Sequence, residues 1–152
     1  MAMILIRPVT LPLPGFEALA AGAAAEGFEF LDRLLVEWES GSNRFDRPGE
    51  ALLGVFDDET LIGIGGLNRD PFLDDPAVGR IRRIYIRAAW RNCGIGANLV
   101  SALLGRANGS FDQVRLRAVS KDAGRLYERL GFQPIEDAHA THVLVLPKVA
   151  DH

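Results

Sequence analysis

Hydrophobic residues recur along the chain at two spacings, and each spacing predicts one kind of element. Apolar residues at i, i+3, i+4 and i+7 share one face of a helix, whereas short apolar runs bounded by turn residues indicate strands. The helical spacing predicts helices over residues 16–23, 28–38, 94–108 and 121–130. The apolar runs predict strands over residues 3–7, 51–56, 61–67, 80–87, 113–119, 132–135 and 141–146. This order of elements predicts a mixed α/β sheet.

Length and composition indicate one soluble domain. The chain has 152 residues, so a single domain over residues 1–152 is expected. No apolar run approaches the roughly 18 residues of a membrane helix, and residues 1–7 lack the features of a secretory signal. The net charge of -3 gives no general attraction to nucleic acid. We therefore expect a cytoplasmic protein that binds neither membrane nor nucleic acid, and its single cysteine, Cys93, fits a reducing compartment.

One short segment has the pattern of an anion site. Residues 91–97 read R-N-C-G-I-G-A, directly after a predicted strand and at the start of a predicted helix. A helix N-terminus offers unpaired backbone N–H groups and about half a positive charge, so it favours a phosphate. Gly94 and Gly96 would let the backbone approach such a ligand because they have no Cβ. Arg91 would add a positive charge at the rim.

Residue identity excludes two common phosphate-binding motifs. A nucleotide-binding P-loop needs Lys followed by Ser or Thr after its second glycine, where this chain has Ala97-Asn98. The dinucleotide fingerprint needs a third glycine where this chain has Leu99. Taken alone, the segment is explained equally well by a glycine turn that only starts a helix.

Two segments together resemble the GNAT superfamily of N-acetyltransferases. Residues 84–96, I-Y-I-R-A-A-W-R-N-C-G-I-G, are similar to its central motif, a hydrophobic strand followed by Arg/Gln-x-x-Gly-x-Gly/Ala. Residues 120–132, S-K-D-A-G-R-L-Y-E-R-L-G-F, resemble its N-x-x-A-x-x-L-Y-x-x-x-G-F motif. The resemblance covers about residues 52–146. It implies the acyl-CoA N-acyltransferase fold, an α+β arrangement with a mixed, mostly antiparallel sheet of six to seven strands and about four flanking helices.

The resemblance also implies roles for individual residues. The turn backbone would hold the pyrophosphate of the co-substrate acetyl-CoA, and the strand backbone would pair with its pantetheine arm. Tyr127 would protonate the departing thiolate, and Ser120, at the family's usual Asn position, would contact the cofactor or only cap a helix. The predicted cofactor-binding residues are Ile84, Ile86, Arg91, Asn92, Cys93, Gly94, Ile95, Gly96, Ala97 and Ser120.

The general base is not assigned by the sequence. Many relatives carry Glu or Asp near the start of the motif strand, where this chain has Arg80. The preceding loop contains Asp70, Asp74 and Asp75; such a loop is usually solvated, although carboxylates beside the site would favour a cationic small amine. No metal site is predicted, because the histidines at positions 139 and 142 lack cysteine or acidic partners.

The predicted function is transfer of an acetyl group from acetyl-CoA to a primary amine by direct attack in a ternary complex. A small-molecule acceptor is favoured, and Trp38, Phe45 and Phe72 are candidates to line its pocket. A protein or peptide acetyltransferase and a non-catalytic acyl-CoA sensor stay open as alternatives. Acetylation of aminoacyl-tRNA is disfavoured by the net charge. Family members often pair, so the resemblance is also compatible with a homodimer.

Overall fold

The computed structural model describes residues 3–147, which form a seven-stranded mixed sheet with helices on both faces. The strands are β1 (Ile4–Pro8), β2 (Ala51–Asp57), β3 (Thr60–Arg69), β4 (Val78–Ile86), β5 (Gln113–Leu116), β6 (Gln133–Pro134) and β7 (His142–Val145). The helices are α1 (Phe16–Ala25), α2 (Phe30–Ser40), α3 (Ile95–Ala107) and α4 (Lys121–Arg129), with a 3-10 turn at Ala88–Trp90. Within these residues, no helix is long and apolar enough to span a membrane.

Each predicted helix and strand is present, and the differences lie at their ends. Strands β3 and β4 extend into the predicted loop at 68–79, because Asn68 pairs with Arg80 and Arg69 with Gly79. Strand β5 ends at Leu116 instead of residue 119, and the 3-10 turn after β4 was not predicted. The predicted fold, a mixed and mostly antiparallel sheet flanked by about four helices, is confirmed.

The sheet opens between its two central parallel strands. Strands β4 and β5 pair only from Val78 opposite Gln113 to Arg80 opposite Arg115. Beyond that point β4 continues to Ile86, and no strand within residues 3–147 pairs with it on its β5 side. The register between β3 and β4 also shifts, and Arg83 has a φ of 62°, a left-handed conformation that is uncommon for a residue with a side chain. The sheet therefore has a V-shaped gap whose closed end lies at Arg80 and Arg115.

Two hydrophobic clusters hold the helices on the faces of the sheet. Helix α3 places Leu99 and Leu103, four residues apart, fully buried against one face. Helices α1 and α2 cover the other face with Leu19, Leu31 and Leu34, which are also fully buried. The gap in the sheet thus has α3 and α4 on one side and α1 and α2 on the other.

Candidate active site

The gap between β4 and β5 is the mouth of a cleft of about 1020 Å³. Its walls come from α2, β4, the turn before α3, β5 and α4, so it brings together segments that are far apart in the chain. Most of the predicted site residues line it. These residues are Ile84, Ile86, Arg91, Asn92, Gly94, Gly96, Ala97 and Tyr127.

The turn before α3 presents unsatisfied backbone N–H groups to this cleft. Gly94 precedes the helix with a φ of 85°, a conformation that favours glycine, and it provides no side-chain cap. The first-turn N–H groups of a helix have no intrahelical partner, which here applies to Ile95, Gly96 and Ala97. A Cβ added to Gly94 would meet nothing within 4 Å, and one added to Gly96 would meet only Leu126 Cδ2 at 3.8 Å. The turn therefore has both the donors and the space that a phosphate group needs.

Arg91, the residue expected to place a positive charge at the rim, is paired with a carboxylate. Its Nη1 and Nη2 donate to Glu26 Oε1 and Oε2 at 2.6 and 2.7 Å, and its Nε donates to the carbonyl of Ile86 at 2.8 Å. The Tyr85 hydroxyl donates to the same carboxylate. The hydrogen bonds from Arg91, followed by the one from Tyr85, lower the pKa of Glu26 to about 2. Arg91 thus ties the turn to the end of α1, and its charge is balanced there.

Tyr127 lies on the opposite wall with its ring packed into the core. Its side chain is 8% exposed, and its ring meets that of Phe132 edge to face, with centroids 5.8 Å apart. Burial raises the pKa of Tyr127 to about 12, and no residue between 3 and 147 forms a hydrogen bond with its hydroxyl. A protonated, unpaired phenol at the edge of the cleft is able to donate a proton.

Three predicted cofactor-binding residues do not line the cleft. The Ser120 hydroxyl accepts a hydrogen bond from the Ala123 N–H at 3.1 Å and so caps α4. Ile95, the first residue of α3, has its side chain buried in the core. Cys93 is exposed, and its thiol donates to the carbonyl of Trp90 at 2.8 Å. Any contact of these residues with a ligand would therefore be made by their main chain or at the rim.

The strongest feature of the cleft was not predicted: its walls are rich in arginine. The lining arginines are Arg33, Arg80, Arg82, Arg83, Arg91, Arg117, Arg125 and Arg129. Among the described lining residues the single carboxylate is Asp122, which is itself paired with Arg125 at 2.9 Å. The arginines are dispersed over several elements, so an overall charge of -3 conceals a strongly positive site.

The expectation that the acidic loop is solvated is wrong for Asp70. Its side chain is completely buried, with Oδ2 3.6 Å from Arg80 Nη1 and 3.7 Å from Arg115 Nε. The two arginines are the last β4–β5 pair, so Asp70 neutralises charge at the closed end of the gap. Arg80 also donates from Nη2 to the carbonyl of His139 at 2.6 Å. Burial lowers the pKa of Arg80, and the charge of Asp70 opposes that shift.

The acidic loop does not provide the carboxylates beside the site on which the hypothesis of a cationic acceptor depended. Asp74 and Asp75 are exposed and do not line the cleft, while the charge of Asp70 is already matched. Of the aromatic candidates, Phe72 lines the cleft and stacks on His139, with ring centroids 4.1 Å apart. Trp38 and Phe45 line a separate cavity of about 370 Å³.

Comparison with known proteins agrees with this architecture. The model of the acetyltransferase (GNAT) family matches residues 17–132. The chain is similar to a protein from Exiguobacterium sp. 255-15 assigned as an acetyltransferase, with 27% identity, a TM-score of 0.83, and coverage of 94% of this chain and 93% of that one.

Two further solved structures share the fold. Arabidopsis thaliana NAA60 in complex with a bisubstrate analogue is 16% identical with a TM-score of 0.68, over 95% of this chain and 97% of that one. A chain of the NatC complex bound to Gag peptide and CoA is 17% identical with a TM-score of 0.68, over 95% and 99%. A comparison with curated protein sequences gives no match. Because the family model covers most of the chain and its two motifs meet at one cleft, this protein belongs to the acetyltransferase (GNAT) family.

Proposed function

We propose that the protein transfers the acetyl group of acetyl-CoA to a primary amine of a small molecule, by direct attack while both substrates are bound. The observation that carries the proposal is the cleft itself. Among residues 3–147, it combines a helix N-terminus without a side-chain cap, a strand edge without a partner and a protonated tyrosine. Together these groups can bind the phosphates and the amide-containing arm of an acyl-CoA and protonate its departing thiolate.

Acetyl-CoA would supply an activated acetyl thioester, and its phosphates fit the chemistry of the cleft. The N–H groups of residues 94–97 would bind the pyrophosphate. Positive charge nearby comes from Arg117, just after β5, and from Arg125 and Arg129 on α4. Beyond Arg80, the free edge of β4 would pair with the amide groups of the pantetheine arm as an added strand does.

Tyr127 is the group proposed to release the thiol. During transfer the acceptor nitrogen forms a bond to the acetyl carbon, the carbon–sulfur bond breaks, and the sulfur takes the phenolic proton. With a pKa of about 12, the phenol holds this proton throughout the neutral range. It regains a proton from solvent after each turnover.

The acceptor amine would lose its own proton to water. Asp122, the carboxylate among the described lining residues, is held by Arg125, so a dedicated acidic base is not part of the proposal. Nearby positive charges disfavour an ammonium ion and lower its pKa. The arginines would therefore help to keep the bound amine neutral and nucleophilic.

A small acceptor is favoured over a peptide by the way in which α2 borders the cleft. Arg83 on β4 forms an ion pair with Glu37 on α2, and both side chains are mostly buried. This contact ties the strand to the helix across the side of the cleft. A peptide would need an open groove there.

The proposal is tested by thiol release from acetyl-CoA with a panel of amines, comparing the wild type with Tyr127→Phe. We expect release with one class of amine. In the variant we expect kcat to be reduced by at least about 100-fold, because general acids contribute on the order of 10²–10⁴-fold. Acetyl-CoA binding by calorimetry and the circular dichroism spectrum serve as controls for folding. Equal kcat values would remove Tyr127 from the mechanism. Tight binding of acetyl-CoA without thiol release for any amine would favour a non-catalytic acyl-CoA sensor.

A further inference from the structure

The α2 side of the cleft carries more positive charge than the carboxylates in contact with it balance, as far as residues 3–147 show. We call this region the α2-side pocket; it is formed by Phe30, Arg33, Phe72, Arg80, Arg82 and Arg83. Two of its arginines have acidic partners, since Arg80 contacts Asp70 and Arg83 contacts Glu37. Within residues 3–147, Arg33 and Arg82 have no carboxylate within 4.0 Å.

Arg82 is the more informative of these two cations because it is half-buried. The burial of its side chain, followed by the charges of Arg83 and Arg80, lowers the pKa of Arg82 to about 10. The charges of Glu37 and Asp70 oppose this shift only in part, and neither carboxylate lies within 4.0 Å of Arg82. Arg82 is still charged at neutral pH. A charge that is partly removed from water and lacks a partner is costly, and such groups are found where a ligand supplies the partner.

The remaining walls of the pocket suit an organic molecule that carries the anionic group. Phe30 and Phe72 contribute aromatic surface at the two sides, and the Arg80 guanidinium lies 4.9 Å from the centre of the Phe72 ring. Arg33 is exposed on α2 at the rim of the same cleft. A ligand entering there would meet Arg33 first and Arg82 deeper in.

Resting on the proposed function, we propose that the acceptor amine also carries an oxyanion, a carboxylate or a phosphate, and that Arg82 binds this group with Arg33 at the entrance. An α-amino acid or an aminophosphonate has this chemistry. The planar guanidinium of Arg82 can donate two parallel hydrogen bonds to either group. A polyamine would instead add positive charge to a pocket that already has an excess.

The test uses sets of three acceptors with the same skeleton: an α-amino acid, its carboxamide and the corresponding aminophosphonate. For the wild type we expect kcat/KM to be on the order of 10- to 100-fold higher for an oxyanion acceptor than for the carboxamide, the range for one charge-assisted hydrogen-bonded contact. In Arg82→Gln this ratio should approach 1. Comparing the amino acid with the aminophosphonate identifies which oxyanion is preferred.

Arg106→Gln is the matched control, since it removes the same charge from an exposed position of α3 outside the cleft. It should keep the wild-type ratio. Equal kcat/KM for the three acceptors, or an unchanged ratio in Arg82→Gln, would overturn the inference even if the protein is an active acetyltransferase.

Failure of the proposed function has a different signature, which is the absence of thiol release with every amine. In that case calorimetry of the CoA-saturated protein with an N-acetyl amino acid and its carboxamide decides the matter. Selective binding of the carboxylate that is lost in Arg82→Gln supports the oxyanion site. Equal binding, or none, refutes it.

Discussion

Replacing Gly96 with alanine separates the need for glycine in the fold from the need for glycine in ligand binding. Gly96 is the second residue of α3, and its Cα faces the cleft. An added Cβ would meet only Leu126 Cδ2, at an ordinary contact distance of 3.8 Å. The fold therefore has no steric reason to exclude alanine, and alanine in a helix gains up to about 1 kcal/mol over glycine.

The same methyl group would stand where a phosphate is proposed to approach the backbone. Adding a methyl group to a closely packed contact costs about 1–3 kcal/mol. At about 1.4 kcal/mol per tenfold change, the affinity for acetyl-CoA should fall roughly 5- to 150-fold. The variant should thus be at least as stable as the wild type and yet bind the co-substrate less tightly.

Gly105→Ala provides the control on the same helix. Gly105 is exposed, a Cβ there would meet nothing within 4 Å, and it does not line the cleft. Both variants should have an unchanged or raised free energy of unfolding in urea. Calorimetric titration with acetyl-CoA should show a loss of affinity for Gly96→Ala alone. Wild-type affinity in Gly96→Ala would refute the close approach of a phosphate to this turn.

Two further perturbations test the buried charges. Asp70→Asn leaves two buried arginines without their shared carboxylate and should lower the free energy of unfolding by about 3–5 kcal/mol. The control is Asp74→Asn, at an exposed position in the same loop, which should change the free energy of unfolding by less than about 0.5 kcal/mol. Equal urea midpoints for the two variants would contradict this prediction. Glu26→Gln should destabilise the protein at pH 7 but not at pH 2. The folded pKa of Glu26, about 2, lies below its ordinary value of 4.5, so its contribution is present above pH 4.5 and is lost as the pH falls towards 2. If the melting temperatures of the wild type and Glu26→Gln differ by the same amount at pH 7 and at pH 2, the Glu26 carboxylate does not stabilise the protein in this way.

The elements of the fold could be predicted because each has a local periodic signal. Helix α3 repeats apolar residues every four positions, and the segment at 91–97 combines a strand end, two glycines and a helix start. The pairing of strands is a long-range property, so the early end of β5 at Leu116 had no local signal. The widening of the gap at Arg83 likewise depends on a shift in its pairing with β3.

The charge of the site could not be predicted for the same reason. The loop at 68–79 looks like solvated acidic sequence until β3 and β4 extend into it and bury Asp70 between Arg80 and Arg115. A partial signal did exist, since residues 80–87 read R-I-R-R-I-Y-I-R. Alternation would place half of such charges on a buried face, which is a reason to suspect either ion pairs or an anionic ligand.

The ion pairs also divide the arginines of the cleft into two groups, those neutralised by a carboxylate and those available to bind an anionic ligand. Arg80, Arg83 and Arg91 each have a carboxylate partner, and each lies where one element joins another. They stabilise the frame of the site and have little charge left for a ligand. Arg82 and Arg117 lack such partners among residues 3–147; Arg82 lies on β4, and Arg117 directly follows the end of β5, so they border the gap from its two sides. Ligand recognition therefore falls to these unpaired arginines. Replacing Arg80, Arg83 or Arg91 with an uncharged residue should reduce stability more than it changes acceptor preference.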